Sequence, residues 1–65
     1  MNGTIKKLSG DRGFGFIHGD DGNDYFFHQS ELRGLVFTAL KEGQRVTFEP
    51  QQADKGPRAA EIQAA

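Results

Sequence analysis

The chain contains no cysteine. That excludes a disulfide framework and a thiolate-based metal site, and it is compatible with a reducing compartment. No apolar run is long enough to span a bilayer, and the first residues lack the charged-then-apolar layout of a secretory signal. The expectation is a soluble cytoplasmic protein with no membrane contact. Neither sign of charge is in excess: the formal net charge is −1, so overall electrostatics do not advertise a polyanionic partner. Any affinity for nucleic acid must come from where the charges sit. Repeats, low-complexity tracts and linkers are missing too, so the 65 residues read as one domain spanning 1–65. A chain of that size buries a limited core on one side of its sheet and leaves the rest wet.

Catalytic constellations are also lacking. Ser9 and Ser30 lie in turn-like sequence without a paired base and acid, and no glycine-rich phosphate loop is present. The chain is therefore read as a non-enzyme without a cofactor. Gly19 to Asn23 superficially resembles a calcium loop, but the alternating oxygen ligands and the terminal glutamate are missing, which leaves a hairpin turn. His18 and His28 are joined by no convergent carboxylate motif, so no metal site is expected from them.

What the chain does have is phenylalanine, six in all, most of it in two short segments. Phe14, Gly15, Phe16 and Ile17 follow Arg12-Gly13; Tyr25, Phe26, Phe27 and His28 follow the polar turn. Side chains alternate across a strand, so Phe14 and Phe16 share one face while Gly15 and Ile17 take the other. Phe26 and His28 likewise oppose Tyr25 and Phe27. Either segment alone is as compatible with a sandwich interior as with a ligand site, because phenylalanine fills cores. Paired as a hairpin, the two present apolar residues on both faces, and a chain this short cannot cover both. One face then carries three phenyl rings and an imidazole in contact with solvent, a surface on which nucleic-acid bases stack with little need for sequence. Tyr25 and Phe27 fall to the core, which requires a partner for the tyrosine hydroxyl. Lys6, Lys7 and Arg12 bracket this hairpin, whereas Asp20, Asp21, Asp24, Glu42 and Glu49 belong to turns and to the second half.

The coarse reading is all-β. Thr4 to Leu8 is a first strand in which adjacent Lys6 and Lys7 prevent Ile5 and Leu8 from both facing inward by strict alternation, so a bulge or strong twist is expected. Phe14–His18, Tyr25–His28 and Arg45–Pro50 supply three more strands, with Val46 and Phe48 on one face of the last. Two segments are ambiguous. Between Ser30 and Gly43, residues Leu32, Leu35, Val36, Ala39 and Leu40 fall at helical spacing, with Ser30 as an N-cap and Gly43 as a stop. Against a helix stand the interior Gly34 and the run Val36-Phe37-Thr38. The tail from Arg58 also has helical propensity, but it is short, and a fifth strand with Ala60 and Ile62 inward closes the sheet better. The expected core is Ile5, Ile17, Tyr25, Phe27, Val46, Phe48 and Ile62.

Arg12-Gly-Phe-Gly-Phe-Ile resembles the first ribonucleoprotein motif of bacterial cold-shock proteins, and Tyr25-Phe-Phe-His resembles their second. The resemblance extends over nearly the whole chain, through Asp20-Asp-Gly, Ser30-Glu-Leu, Glu42-Gly-Gln and Lys55-Gly-Pro. An RNA-recognition-motif domain shares a similar first motif, but it places the second upstream and needs two helices for which this chain has no room. The resemblance implies a small five-stranded antiparallel OB-type barrel that binds single-stranded RNA and DNA and melts weak secondary structure as an RNA chaperone. It places base stacking on Phe14, Phe16, Phe26, His28 and Phe37, and basic contacts on Lys6, Arg12 and Lys55. Two positions depart from the family. The strand-one tryptophan is replaced by Lys7, and the aromatic after the histidine by Gln29, leaving a phosphate contact at the first and a polar one at the second. Leu35 and Val36 make the long loop more apolar than is usual in the family, through loop packing or as a separate contact surface for a protein. The competing functional classes are thus a monomeric single-strand-binding module and a small barrel used for protein interaction.

Overall fold

The computed structural model describes residues 1–65. Five strands, β1 (Asn2–Ser9), β2 (Phe14–Gly19), β3 (Asp24–His28), β4 (Arg45–Ala53) and β5 (Gly56–Ala64), close into a barrel in the order β1-β2-β3-β5-β4. Closure removes the unpaired edges that a short sheet exposes. Neighbours in an odd ring cannot all alternate in direction, so one seam must be parallel. It is the β3–β5 seam, where Phe26 faces Arg58; the other four pairings are antiparallel. No helix is long and apolar enough to cross a membrane.

All seven expected core residues are buried, joined by Leu40 and two alanines. Phe27 lies in the middle, fully enclosed, and its ring explains Gly15 on the neighbouring strand. A Cβ at Gly15 would sit 2.8 Å from Phe27 and 2.5 Å from the Lys7 carbonyl oxygen. The Tyr25 hydroxyl finds its partner at the rim, donating to Asp21 Oδ2 at 2.6 Å. The same carboxylate accepts from the Asn23 backbone and side chain, so its oxygens are committed to holding the Gly19–Asn23 turn. These bonds hold the Asp21 carboxyl below its ordinary pKa, and the tyrosine hydroxyl's bond to it raises that of Tyr25.

Bulges settle which residues face inward on two strands. In β1, Ile5 pairs with Ile17 but Lys7 pairs with Phe16, so Lys6 is the extra residue. The insertion turns both lysines outward and lets Ile5 and Leu8 both face the core, as the adjacent lysines require. In β5 the expectation of Ala60 and Ile62 as the inward pair is corrected. Glu61 adopts a left-handed backbone with φ of 49° opposite a register shift in β4, so that Ala59 and Ile62 share the inner face. Ala60 is also buried but pairs with exposed Glu49, outside the core cluster.

No helix forms between Ser30 and Gly43. Two single 3-10 turns, Gln29–Glu31 and Phe37–Ala39, are separated by Gly34 in the left-handed region at φ of 72°. The expected Ser30 cap is instead His28, whose Nδ1 accepts from the Ser30 N–H at 3.2 Å. The segment covers one end of the barrel, packing Leu32, Leu35 and Phe37 against the core and burying Leu40. Arg33 N–H donates to the Ile62 carbonyl at 2.8 Å, and Gly43 N–H to the Ile5 carbonyl at 2.7 Å. Gly34 in the left-handed region and Val36 in an extended conformation, with φ of −105° and ψ of 129°, interrupt any helical backbone between the two turns. Tertiary bonding therefore overrides the helical spacing.

Candidate nucleic-acid interface

Phe14 pairs with His28 and Phe16 with Phe26 across β2 and β3, so all four side chains emerge on the outer face. Adjacent residues in β3 decide the assignment: Phe27 is 0% exposed and Phe26 36%. The three outer rings touch pairwise. Phe14 and Phe26 have centroids 5.5 Å apart, Phe16 and Phe26 5.8 Å, and Phe14 and Phe16 meet edge to face at 6.3 Å. Such mutual packing holds aromatic faces in place ahead of ligand binding. His28 is exposed beside Phe14. Because its Nδ1 accepts a backbone N–H, the ring proton of the neutral form lies on Nε2.

The basic residues divide into paired and free. Lys6 Nζ donates to Asp24 Oδ2 at 2.6 Å, and His18 Nδ1 donates to Asp24 Oδ1 at 2.8 Å. These two bonds, Lys6 first, hold the Asp24 carboxyl below its ordinary pKa. Asp24 thus lies at the margin of the aromatic face, as the first residue of β3, and partly neutralises Lys6, which corrects its grouping with the acids of the turns and the second half. Alternation could have found it, since Asp24, Phe26 and His28 share one face. Lys7, Arg12 and Lys55 are exposed, and none is ion-paired. Lys7 stands opposite Phe16 because of the β1 bulge, and Arg12 occupies the β1–β2 turn. Gly13, at φ of 69°, follows that turn and bonds the Gln29 N–H through its carbonyl at 2.7 Å, bringing the exposed Gln29 side chain across it.

An open groove of about 570 Å³ runs from Phe16 and Phe26 to the β4–β5 turn, where Lys55, Pro57 and Arg58 line it. Lys55 therefore belongs to the same surface as the rings. Phe37 does not join the three-ring group. It is half-buried, with its centroid 6.4 Å from core Phe27. Arg58 carries only a marginal signal in the sequence; the β3–β5 seam is what brings it beside Phe26.

The fold and this surface define a small OB-type barrel with an aromatic strand face rimmed by cations. A sequence model described as the 'Cold-shock' DNA-binding domain matches residues 1–65. The chain is 49% identical over 61 residues to cold shock protein 1 of Lactiplantibacillus plantarum, covering 94% of this chain and 92% of that protein. It is 45% identical over 62 residues to a cold shock-like protein of Thermotoga maritima, covering 95% and 94%. It is 44% identical over 63 residues to the major cold shock protein CspA of Pseudomonas aeruginosa, covering 97% and 91%. The chain belongs to the cold-shock domain family, whose members are nucleic-acid-binding domains rather than enzymes.

Proposed function

We propose that residues 1–65 act as one module that binds single-stranded RNA or DNA by stacking bases on Phe14, Phe16, Phe26 and His28. Phe37 extends the stacking surface at the barrel end. Lys6, Lys7, Arg12, Gln29 and Lys55 supply phosphate and polar contacts. The module works as a monomer in the cytoplasm and serves as an RNA chaperone: bases held on the rings are withheld from pairing, so weak secondary structure melts. The observation that carries this reading is the solvent-facing group of three mutually packed phenyl rings on the side of the sheet opposite Phe27. A protein-binding barrel is less well supported. Leu35 packs inward, which leaves Val36 as the one exposed large hydrophobic residue of the long loop.

Fluorescence anisotropy of labelled single strands and of the matching duplex tests the proposal. Single strands should bind, and the duplex should bind far more weakly because paired bases cannot reach the rings. Equal affinity for both, or no binding of single strands at micromolar concentration, would refute it.

A further inference from the structure

The groove between Phe26 and the β4–β5 turn holds an arginine whose donors are unused. Arg58 faces Phe26 across the parallel seam and lines the groove with it. The one carboxylate within 4 Å of it is that of Glu31, with Nη2 3.8 Å from Oε2, too far for a hydrogen bond. Its Nε–H is buried without an acceptor. Arg45 and Arg33 differ: the first donates to Thr4 and Asp20, the second to the Ser30 and Leu32 carbonyls. A guanidinium is a planar fork of five donors, and a buried donor left unmade is costly. At Arg58 the Nε is covered, so the Nη groups of the half-exposed side chain, beside the Phe26 ring, are the donors left open to an acceptor.

The geometry points to Arg58 as a base-reading residue that donates to O6 and N7 of a guanine stacked on Phe26. This inference rests on the stacking interface proposed above and names the base preferred at one of its positions. A phosphate in this groove has Lys55 as its counter-charge, whereas Arg58 already has the Glu31 carboxylate 3.8 Å from its Nη2, which repels an anion at the fork more strongly than it repels the neutral edge of a base. Guanine is favoured among bases because it offers two adjacent acceptors to the fork, whereas adenine sets a donor beside its N7 and thymine offers O4 beside a methyl group.

The test uses the full chain and labelled thymidine oligonucleotides in which one residue is replaced, at each position in turn, by dG, dA, dC or 7-deaza-dG. At one position dG should bind about 5- to 150-fold tighter than dA or dC, the discrimination expected of a bidentate contact. Removing N7 with 7-deaza-dG should return the affinity toward that of dA. Arg58→Gln should abolish the preference, bringing dG, dA and dC at that position to the same affinity. The dG against 7-deaza-dG comparison is made on the unaltered protein and does not depend on the variant's folding. Equal affinities for dG and 7-deaza-dG would overturn the inference. So would an Arg58→Gln variant that weakens every sequence alike and reduces the salt slope by about 0.7, as loss of a phosphate contact does. Binding without a dG preference defeats only the guanine assignment, while failure of every oligonucleotide to bind defeats the stacking interface as well.

Discussion

Replacing Phe26 and its neighbour Phe27 by alanine should have opposite consequences, although the two residues are adjacent in one strand. Phe27 is 0% exposed at the centre of the barrel, and truncating such a ring costs about 3–5 kcal/mol through lost burial and the cavity left behind. A chain of 65 residues has only about 3–10 kcal/mol of stability in total. Phe27→Ala should therefore lower the melting temperature by more than about 12 °C, or leave the protein largely unfolded at room temperature. Phe26 is 36% exposed, and its removal forfeits packing against two rings, at about 0.5–1.5 kcal/mol per pair. The fold should survive. Binding should not: a base–aromatic stack is worth about 1–3 kcal/mol, so single-strand affinity should drop roughly 5- to 150-fold. Circular dichroism melts and anisotropy titrations on the same samples measure both effects. If Phe26→Ala proves the more destabilising of the two, or leaves binding unchanged, the strand faces have been assigned backwards and the stacking surface is elsewhere.

Salt dependence should be shallow. With Lys7, Arg12 and Lys55 as the unpaired cations near the rings, a slope of about −0.7 per phosphate gives about −2.1 in log affinity against log salt. A measured slope steeper than about −4 would mean that charge rather than stacking carries the complex. Lys7→Ala should reduce the slope by up to about 0.7 and weaken all sequences alike. Gly15→Ala should destabilise by about 1–3 kcal/mol, because its Cβ meets the Lys7 carbonyl oxygen at 2.5 Å and cannot push a backbone aside cheaply; a melting temperature unchanged from the parent would contradict that packing. Asp20, Asp21 and Asp24 all have carboxyls held below the ordinary value of 3.8 by hydrogen bonds from Arg45, from Tyr25 with Asn23, and from Lys6 with His18. Their stabilising contribution is complete above that value and is lost as pH falls through the lower folded-state values. Asp21→Asn should therefore melt lower than the parent at neutral pH, and the gap should narrow on acidification below the ordinary carboxylate range. A gap that is constant across pH would rule out the linkage.

Local alternation makes the ligand face legible in the sequence. In Phe14–Ile17 and Tyr25–His28 inner and outer residues alternate without interruption, so pairing the two segments is enough to separate Phe14, Phe16, Phe26 and His28 from Ile17, Tyr25 and Phe27. The same period places Val46 and Phe48 inward. The adjacent lysines of β1 also announce a bulge, because two neighbouring charges cannot both face outward in a regular strand. Closure of the ring decides what alternation cannot. The Glu61 bulge exchanges Ala60 for Ala59 on the inner face, and the odd number of strands forces a parallel seam that sets Arg58 beside Phe26. The long loop keeps its helical spacing in sequence yet follows the bonds to Ile62 and Ile5 available at the barrel end. Pairing of Lys6 with Asp24 arises in the same way, between residues eighteen positions apart that meet only once the strands are in register. A residue's face depends on its nearest neighbours and is written in the period of the chain; its partner depends on register and closure, which exist only when the whole sheet has formed.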